Sequence, residues 1–166
     1  MKKIYFITIL AVMITAGCKP TVNTGSIDQS ALNDTIAQMA DKYQDAWNTK
    51  AIDVLDSLVS DDGLFFGSDP SEILDKASLL KMWAQAFSDT TTVYNYAIDI
   101  RKIKLNADGK SAIVIEQLTV ADWSPRIHIR QTLQFVKVGD KWKIDFIDWA
   151  FIAKNEDVEK LNKALE

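Results

Sequence analysis

Cysteine and histidine are almost missing from this chain, and their scarcity excludes several kinds of site. Cys18 is the only cysteine and His128 the only histidine among 166 residues. An intramolecular disulfide and the clustered-thiol metal sites both need more than one cysteine, and a typical zinc site needs more ligands than one imidazole. No glycine-rich phosphate loop or nucleophile elbow is present either. We therefore expect no metal and no other cofactor.

Basic runs are also lacking. The chain has 19 Lys and Arg against 23 Asp and Glu, for a formal net charge of -4. If Lys2 and Lys3 are removed with a leader, 17 basic residues face 23 acidic ones and the net charge becomes -6. Proteins that bind nucleic acid normally carry a basic stripe that contacts phosphates. The acidic balance argues against a nucleic-acid partner.

Long apolar runs are limited to one, at the N-terminus. Lys2 and Lys3 precede an apolar run over residues 4–14, and small residues at 15–17 lead to Cys18. This order is typical of a secretory signal peptide. A helix that spans a bilayer needs about 20 residues, so the run is too short to be a permanent anchor. We predict a signal peptide over residues 1–17.

The stretch I-T-A-G-C, which ends at Cys18, resembles the lipobox of bacterial lipoproteins. The resemblance implies cleavage before Cys18 and acylation of its thiol, with two or three acyl chains, because one chain holds a protein only marginally. Residues 18–27 contain Pro, Gly, Asn and Thr without an apolar face, which predicts a flexible tether. The expected location is the bacterial cell envelope, with the membrane as a partner through the lipid on Cys18. The alternative is an ordinary secreted protein in which Cys18 is a chance thiol.

The rest of the chain, residues 28–166, has the pattern of one α+β domain. Apolar residues at helical spacing predict a long first helix that begins near Ser30 and two shorter helices. After Thr92 the pattern becomes that of strands separated by turns, with Asp108-Gly109 and Gly139-Asp140 as the clearest turn signals. Helices followed by a run of strands favour an antiparallel sheet that is covered by helices. The predicted elements are helices at 30–48, 51–59, 76–87 and 156–165 and strands at 63–67, 93–105, 111–120, 127–138 and 141–152.

Three stretches carry a resemblance to a known superfamily: D-K-Y-Q-D-A-W-N, L-F-F-G-S-D-P-S-E-I, and R-Q-T-L-Q-F-V-K-V-G-D-K-W-K-I-D-F-I-D-W-A. In these the chain resembles the SnoaL-like or nuclear-transport-factor-two-like proteins over roughly 28–151. The resemblance implies a cystatin-like α+β cone, in which a long N-terminal helix and two shorter helices pack on a strongly curved antiparallel sheet. Such domains include isomerases, cyclases, dehydratases and transport factors, so the fold does not give the function.

A tight turn at Gly139-Asp140 would pair residues whose numbers sum to 279. The expected pairs are Phe135 with Ile144, Leu133 with Phe146 and Gln131 with Asp148. Because side chains alternate along a strand, Gln131, Phe146 and Asp148 would then share the concave face of the sheet. These three residues are predicted to line a ligand pocket together with Tyr43 and Trp47 of the first helix.

Two acidic residues are candidates for catalysis. A carboxylate of Asp148 on an apolar face would be desolvated, which raises the pKa of an acid and suits it to acid or base work. Both sets of alternate residues in the strand at 111–120 are apolar, so either set could face the pocket, and Glu116 joins Asp148 only if its own set does. Tyr43 is the candidate hydrogen-bond donor. The alternative is that Asp148 lies at the hydrated rim, bonded to Gln131, without a chemical role. The family often has His at positions 146 and 148 and Ser at 150, and this chain departs at all three.

Three functions follow as hypotheses. The first is a membrane-tethered lipoprotein whose cone binds a small hydrophobic ligand or whose sheet docks a protein partner. The second is an enzyme of the ketosteroid-isomerase or dehydratase kind that uses a pocket carboxylate. The third is a homodimer that pairs through an exposed sheet face carrying Ile147, Trp149 and Phe151.

Overall fold

The computed structural model describes residues 28–165. The predicted signal peptide, the predicted lipidation site at Cys18 and the predicted tether lie outside these residues. Within 28–165, no helix combines the length and the apolar character that crossing a membrane requires. The helices are α1 (Gln29–Asn48), α2 (Ile52–Leu58), α3 (Lys76–Ser88) and α4 (Val158–Ala164), with a 3₁₀ turn at Asn155–Asp157. The strands are β1 (Val59–Phe66), β2 (Ile73–Leu74), β3 (Tyr96–Leu105), β4 (Ser111–Val120), β5 (Ser124–Val138) and β6 (Lys141–Ile152).

The strands form one sheet in the order β2-β1-β6-β5-β4-β3. Strands β3 to β6 form an antiparallel meander, whose first and last turns place Gly109 and Gly139 at positive φ, 64° and 60°. Glycine adopts this backbone region without the steric cost that other residues incur. The predicted α+β cone is confirmed, with one difference: β1 runs parallel to β6. No hairpin joins these two strands, so their direction is not constrained by a turn.

Helix α1 crosses the inner face of the sheet. It begins one residue before the predicted start, because the carboxylate of Asp28, and not the hydroxyl of Ser30, accepts from the free backbone amides of Ser30 and Ala31 at 3.0 and 3.1 Å. An acceptor at this position satisfies donors that have no partner inside the helix. The apolar stripe of α1 is buried and faces the sheet: Ile36, Ala40, Tyr43 and Trp47 are at most 5% exposed.

The predicted register of the last hairpin is correct only near its turn. Phe135 pairs with Ile144 as expected, but a bulge beyond this pair shifts every later partner by one residue. A shift of one residue moves side chains to the opposite face of a sheet. Gln131 therefore pairs with Trp149 and not with Asp148. The prediction that Phe146 and Asp148 face the interior is wrong: the buried positions of β6 are Ile144, Ile147 and Trp149.

Candidate functional site

A row of four side chains crosses the inner face of the sheet. The register sets Arg101 of β3 opposite Glu116 of β4, Glu116 opposite Gln131 of β5, and Gln131 opposite Trp149 of β6. Glu116 and Gln131 are completely buried, and Trp149 is 9% exposed. The row thus extends from a cation at one side of the sheet to an indole beneath the helices.

The carboxylate of Glu116 is the electrostatic centre of this row. Its Oε2 accepts from Gln44 Nε2 at 2.5 Å and from Gln131 Nε2 at 2.8 Å, and its Oε1 accepts from Arg101 Nε at 2.5 Å. Arg101 also donates to Asp41 of α1 at 2.6 Å. Burial raises the pKa of Glu116, while the guanidinium and the two amides oppose this effect. Both oxygens of Glu116 are therefore occupied by protein donors.

A cavity of about 300 Å³ lies beside this row, between α1, α3 and the inner face of β6. Seven of its fifteen lining residues are aromatic. Glu72 is the only acidic residue that lines it, and no lysine, arginine or histidine of the described chain does so. The lining consists of Tyr43, Trp47, Phe66, Gly67, Ser68, Glu72, Leu79, Met82, Trp83, Ala86, Thr92, Tyr94, Trp123, Ile147 and Trp149. The volume and the apolar wall are those of a small-molecule site.

Trp47 is the centre of the aromatic wall. Its ring centroid lies 5.0 Å from that of Trp149, 5.1 Å from Phe87 and 5.4 Å from Tyr94. Edge contacts dominate, as expected from the charge distribution of aromatic rings. Because its neighbours come from α3, β6 and the segment before β3, Trp47 fixes the position of the wall relative to α1.

Three polar atoms of the cavity walls make no hydrogen bond of ordinary length and angle among the described residues. They are Tyr43 Oη, Trp47 Nε1 and Trp149 Nε1, and all three are buried. Burial raises the pKa of Tyr43 and the charge of Glu116 adds to the effect, whereas side-chain hydrogen bonding from the indole groups of Trp47 and Trp149 to the Tyr43 oxygen lowers it. The two indoles therefore face the Tyr43 oxygen, and the proton of Tyr43 is the donor that has no acceptor among the described residues. Tyr43 is therefore a neutral hydroxyl with a proton to donate. An unpaired buried donor is costly, with a penalty of about 1–3 kcal/mol.

A family described as a SnoaL-like domain matches residues 36–153. This chain belongs to the SnoaL-like domain family. No curated protein matches it.

Solved structures related to this SnoaL-like domain share its fold at low sequence identity. An NTF2-like protein of unknown function from Pseudomonas putida KT2440 is 16% identical, with a TM-score of 0.64 over 76% of this chain and 91% of that one. An uncharacterized protein with a cystatin-like fold from Caulobacter vibrioides is 16% identical, with a TM-score of 0.65 over 82% and 99%. An NTF2-like protein from Cytophaga hutchinsonii is 15% identical, with a TM-score of 0.60 over 72% and 98%. At these identities the likeness shows the fold alone.

The SnoaL-like domain brings together only part of the predicted site. Tyr43 and Trp47 line the cavity, whereas Gln131 lies beside it in the buried row. Phe146 is on the outer face, where its ring is 5.8 Å from that of Phe66. Asp148 lines a separate outer groove and not the cavity. Glu116 and Asp148 therefore lie on opposite faces of the sheet, and the pairing of two acids in one pocket is not present.

The sequence pattern did not identify Ile147 and Trp149 as residues of the cavity wall. The bulge in β6 turns their side chains to the inner face of the sheet, whereas the unbulged register places them on the outer face. No feature of the local sequence marks the position of that bulge. The same reversal corrects the expected dimer face: Ile147 and Trp149 are buried, and only Phe151 of the three is exposed, at 43%. Pairing of two copies through the sheet stays a prediction.

Proposed function

We propose that this SnoaL-like domain binds a small, mostly apolar molecule whose hydrogen-bond acceptor is received by the hydroxyl of Tyr43, and that a lipid on Cys18 holds the domain at a bacterial membrane. The observation that carries the binding proposal is the buried hydroxyl of Tyr43, whose proton has no acceptor among the described residues, in the wall of an aromatic cavity.

Ligand binding would remove a cost that the free protein bears. Each buried donor without an acceptor loses its hydration and gains nothing in return. An acceptor such as a carbonyl oxygen placed beside Tyr43 restores the missing hydrogen bond, and the aromatic wall covers the apolar remainder of the molecule. Selectivity then comes from the Tyr43 hydroxyl, because an analogue without the acceptor leaves this donor unpaired.

The geometry favours binding over proton transfer. A general base needs a free oxygen within about 3 Å of the proton it abstracts. Both oxygens of Glu116 are bonded to Gln44, Gln131 and Arg101, and Glu116 does not line the cavity. Asp148 faces the outer groove. Neither of the acids proposed for catalysis, Glu116 and Asp148, is therefore placed to transfer a proton inside the cavity. Glu72 is the one acid among residues 28–165 that lines it, and its Oε2 already accepts from the backbone amide of Asp69.

Calorimetric titration with two naphthalenes of nearly equal shape tests the binding proposal. We expect 2-acetylnaphthalene, which carries a carbonyl, to bind about tenfold more tightly than 2-isopropylnaphthalene, which carries none. The variant Tyr43→Phe should lose most of this preference.

The variant Tyr94→Phe is the matched control. Tyr94 also lines the cavity, but its hydroxyl already donates to the backbone carbonyl of Ala86 at 3.4 Å. The control should keep the preference for the ketone. Failure of both naphthalenes to bind would contradict the function proposed for the cavity.

The tether has its own test, which does not depend on the cavity. Nine residues lie between Cys18 and Asp28, so at about 3.3–3.6 Å per residue the domain would stand roughly 30 Å from the membrane at most. We expect the native protein to begin at Cys18, to carry the added mass of acyl chains and to sediment with membranes, and we expect Cys18→Ala to abolish all three. An unmodified thiol or another N-terminus would disprove the anchor.

A further inference from the structure

The loop between β1 and β2 holds a carboxylate at the lip of the cavity. The loop closes on itself through a backbone hydrogen bond from Gly67 N to Glu72 O at 3.0 Å. The backbone amide of Asp69 donates to Glu72 Oε2 at 3.1 Å. The side chain of Glu72 is therefore fixed by its own loop, and the orientation of the carboxylate is set before any ligand arrives.

Gly67 makes this arrangement possible because it has no side chain. A Cβ at position 67 would lie 1.9 Å from Glu72 Oε2 and 2.7 Å from its carboxyl carbon. Such distances are far inside van der Waals contact. The carboxylate of Glu72 thus occupies space that any other residue at position 67 would fill.

Glu72 lines two recesses, and no cation among residues 28–165 forms an ion pair with it. It lines both the aromatic cavity and an outer groove of about 390 Å³, to which Asp69 and Asp148 also contribute. No lysine, arginine or histidine among residues 28–165 lines either recess. Within the same residues, the ion pairs present do not include Glu72. The lip is therefore negative and unneutralised.

We infer that Glu72 receives a positive charge on the ligand, so that the natural ligand is an organic amine with an apolar body. This inference rests on the proposed function of the cavity and adds the charge of its ligand. A cation at the lip gains attraction to a half-buried carboxylate, and the exposed ring of Trp123 favours a cation over an anion, whereas the ring of Tyr94 already has Lys50 Nζ 5.6 Å from its centroid. The acidic net charge of the chain adds long-range attraction for cations.

The test compares 2-naphthylmethylamine, which is cationic at about pH 7, with the neutral 2-naphthalenemethanol. Titration calorimetry on the full chain carrying Cys18→Ser should show the amine binding about fivefold more tightly at low salt, with the preference shrinking as salt is added. Glu72→Gln should abolish the preference, since the amide retains an oxygen for the Asp69 bond but loses the charge. Glu156→Gln removes one charge from an exposed carboxylate outside both recesses and should leave the preference intact.

A second variant tests the placement of the charge. Gly67→Ala should displace the Glu72 carboxylate and lower the preference for the amine while leaving binding of the alcohol within about twofold. Equal binding of amine and alcohol to the unaltered protein, or a preference that survives Glu72→Gln, would overturn the inference and leave the cavity function intact. If neither probe binds, the cavity function fails and the inference fails with it.

Discussion

The guanidinium of Arg101 and the carboxylate of Glu116 face each other across β3 and β4, with Nε 2.5 Å from Oε1, and the side chain of Glu116 is completely buried. Arg101 links this carboxylate to Asp41 at the surface of α1. The pair therefore ties the first helix to the far side of the sheet, next to the residues that support the cavity wall.

Removing the cation from this pair should destabilise the fold strongly. Arg101→Met leaves Glu116 buried without its charged partner, and breaking a buried pair in this way costs about 3–5 kcal/mol. Urea unfolding should show this loss in the free energy of unfolding. Arg126→Met, at an exposed position of β5, is the control and should change it by about 0.5 kcal/mol or less. A small effect at Arg101 would mean that water or relaxation replaces the lost partner.

Stability should depend on pH through Glu116. Burial raises the pKa of Glu116 above the ordinary value of 4.5. Between 4.5 and the higher folded-state pKa, the folded protein keeps a proton on Glu116 that the unfolded chain has released. Since the folded state binds more protons in this window, the free energy of unfolding falls as the pH rises through it. Unfolding curves at several pH values should show that the wild type loses stability relative to Glu116→Gln on moving upward from pH 4.5. A constant difference would contradict a raised pKa.

Trp47, in the buried wall of the cavity, should contribute far more to stability than Trp123, which is exposed at its lip. Trp47 is 5% exposed and packs against several aromatic rings, whereas Trp123 is 43% exposed. Trp47→Ala should cost about 3–5 kcal/mol, as is usual when a large buried side chain is truncated. Trp123→Ala should cost about 1 kcal/mol or less. Thermal unfolding followed by far-ultraviolet circular dichroism measures both, and comparable losses would show that the lip is as tightly packed as the wall.

Asp145, beside the bulge of β6, should be a site where substitution stabilises the protein. Its Oδ1 is buried without a hydrogen-bond partner among residues 28–165, and partial burial and the charge of Asp62 raise its pKa. Asp145→Asn removes an ionised group from an unfavourable environment, so the melting temperature at neutral pH should rise. The gain should disappear in acid, where Asp145 is protonated and uncharged. Asp122→Asn, at an exposed turn, should have no comparable effect.

Local sequence patterns determined most of the elements of this domain. The helical spacing of Ile36, Tyr43 and Trp47 predicts α1 and its buried face, because that spacing brings the three side chains to one side of any helix. The turn residues Gly109 and Gly139 likewise locate two hairpins, since few other residues adopt their backbone angles. Membership in the SnoaL-like family is also carried by such local stretches, and the family match confirms it.

Only the tertiary structure decided which side chains share the cavity. The bulge in β6 reverses the facing of Asp148 and Trp149, and no local pattern records it because both phases of that strand carry apolar residues. The pairing of Glu116 with Arg101 and the placement of Glu72 against Gly67 also depend on register and loop closure. Residue types and their spacing are local properties of a chain, whereas facing and charge pairing arise only when distant strands hydrogen-bond and fix their alignment.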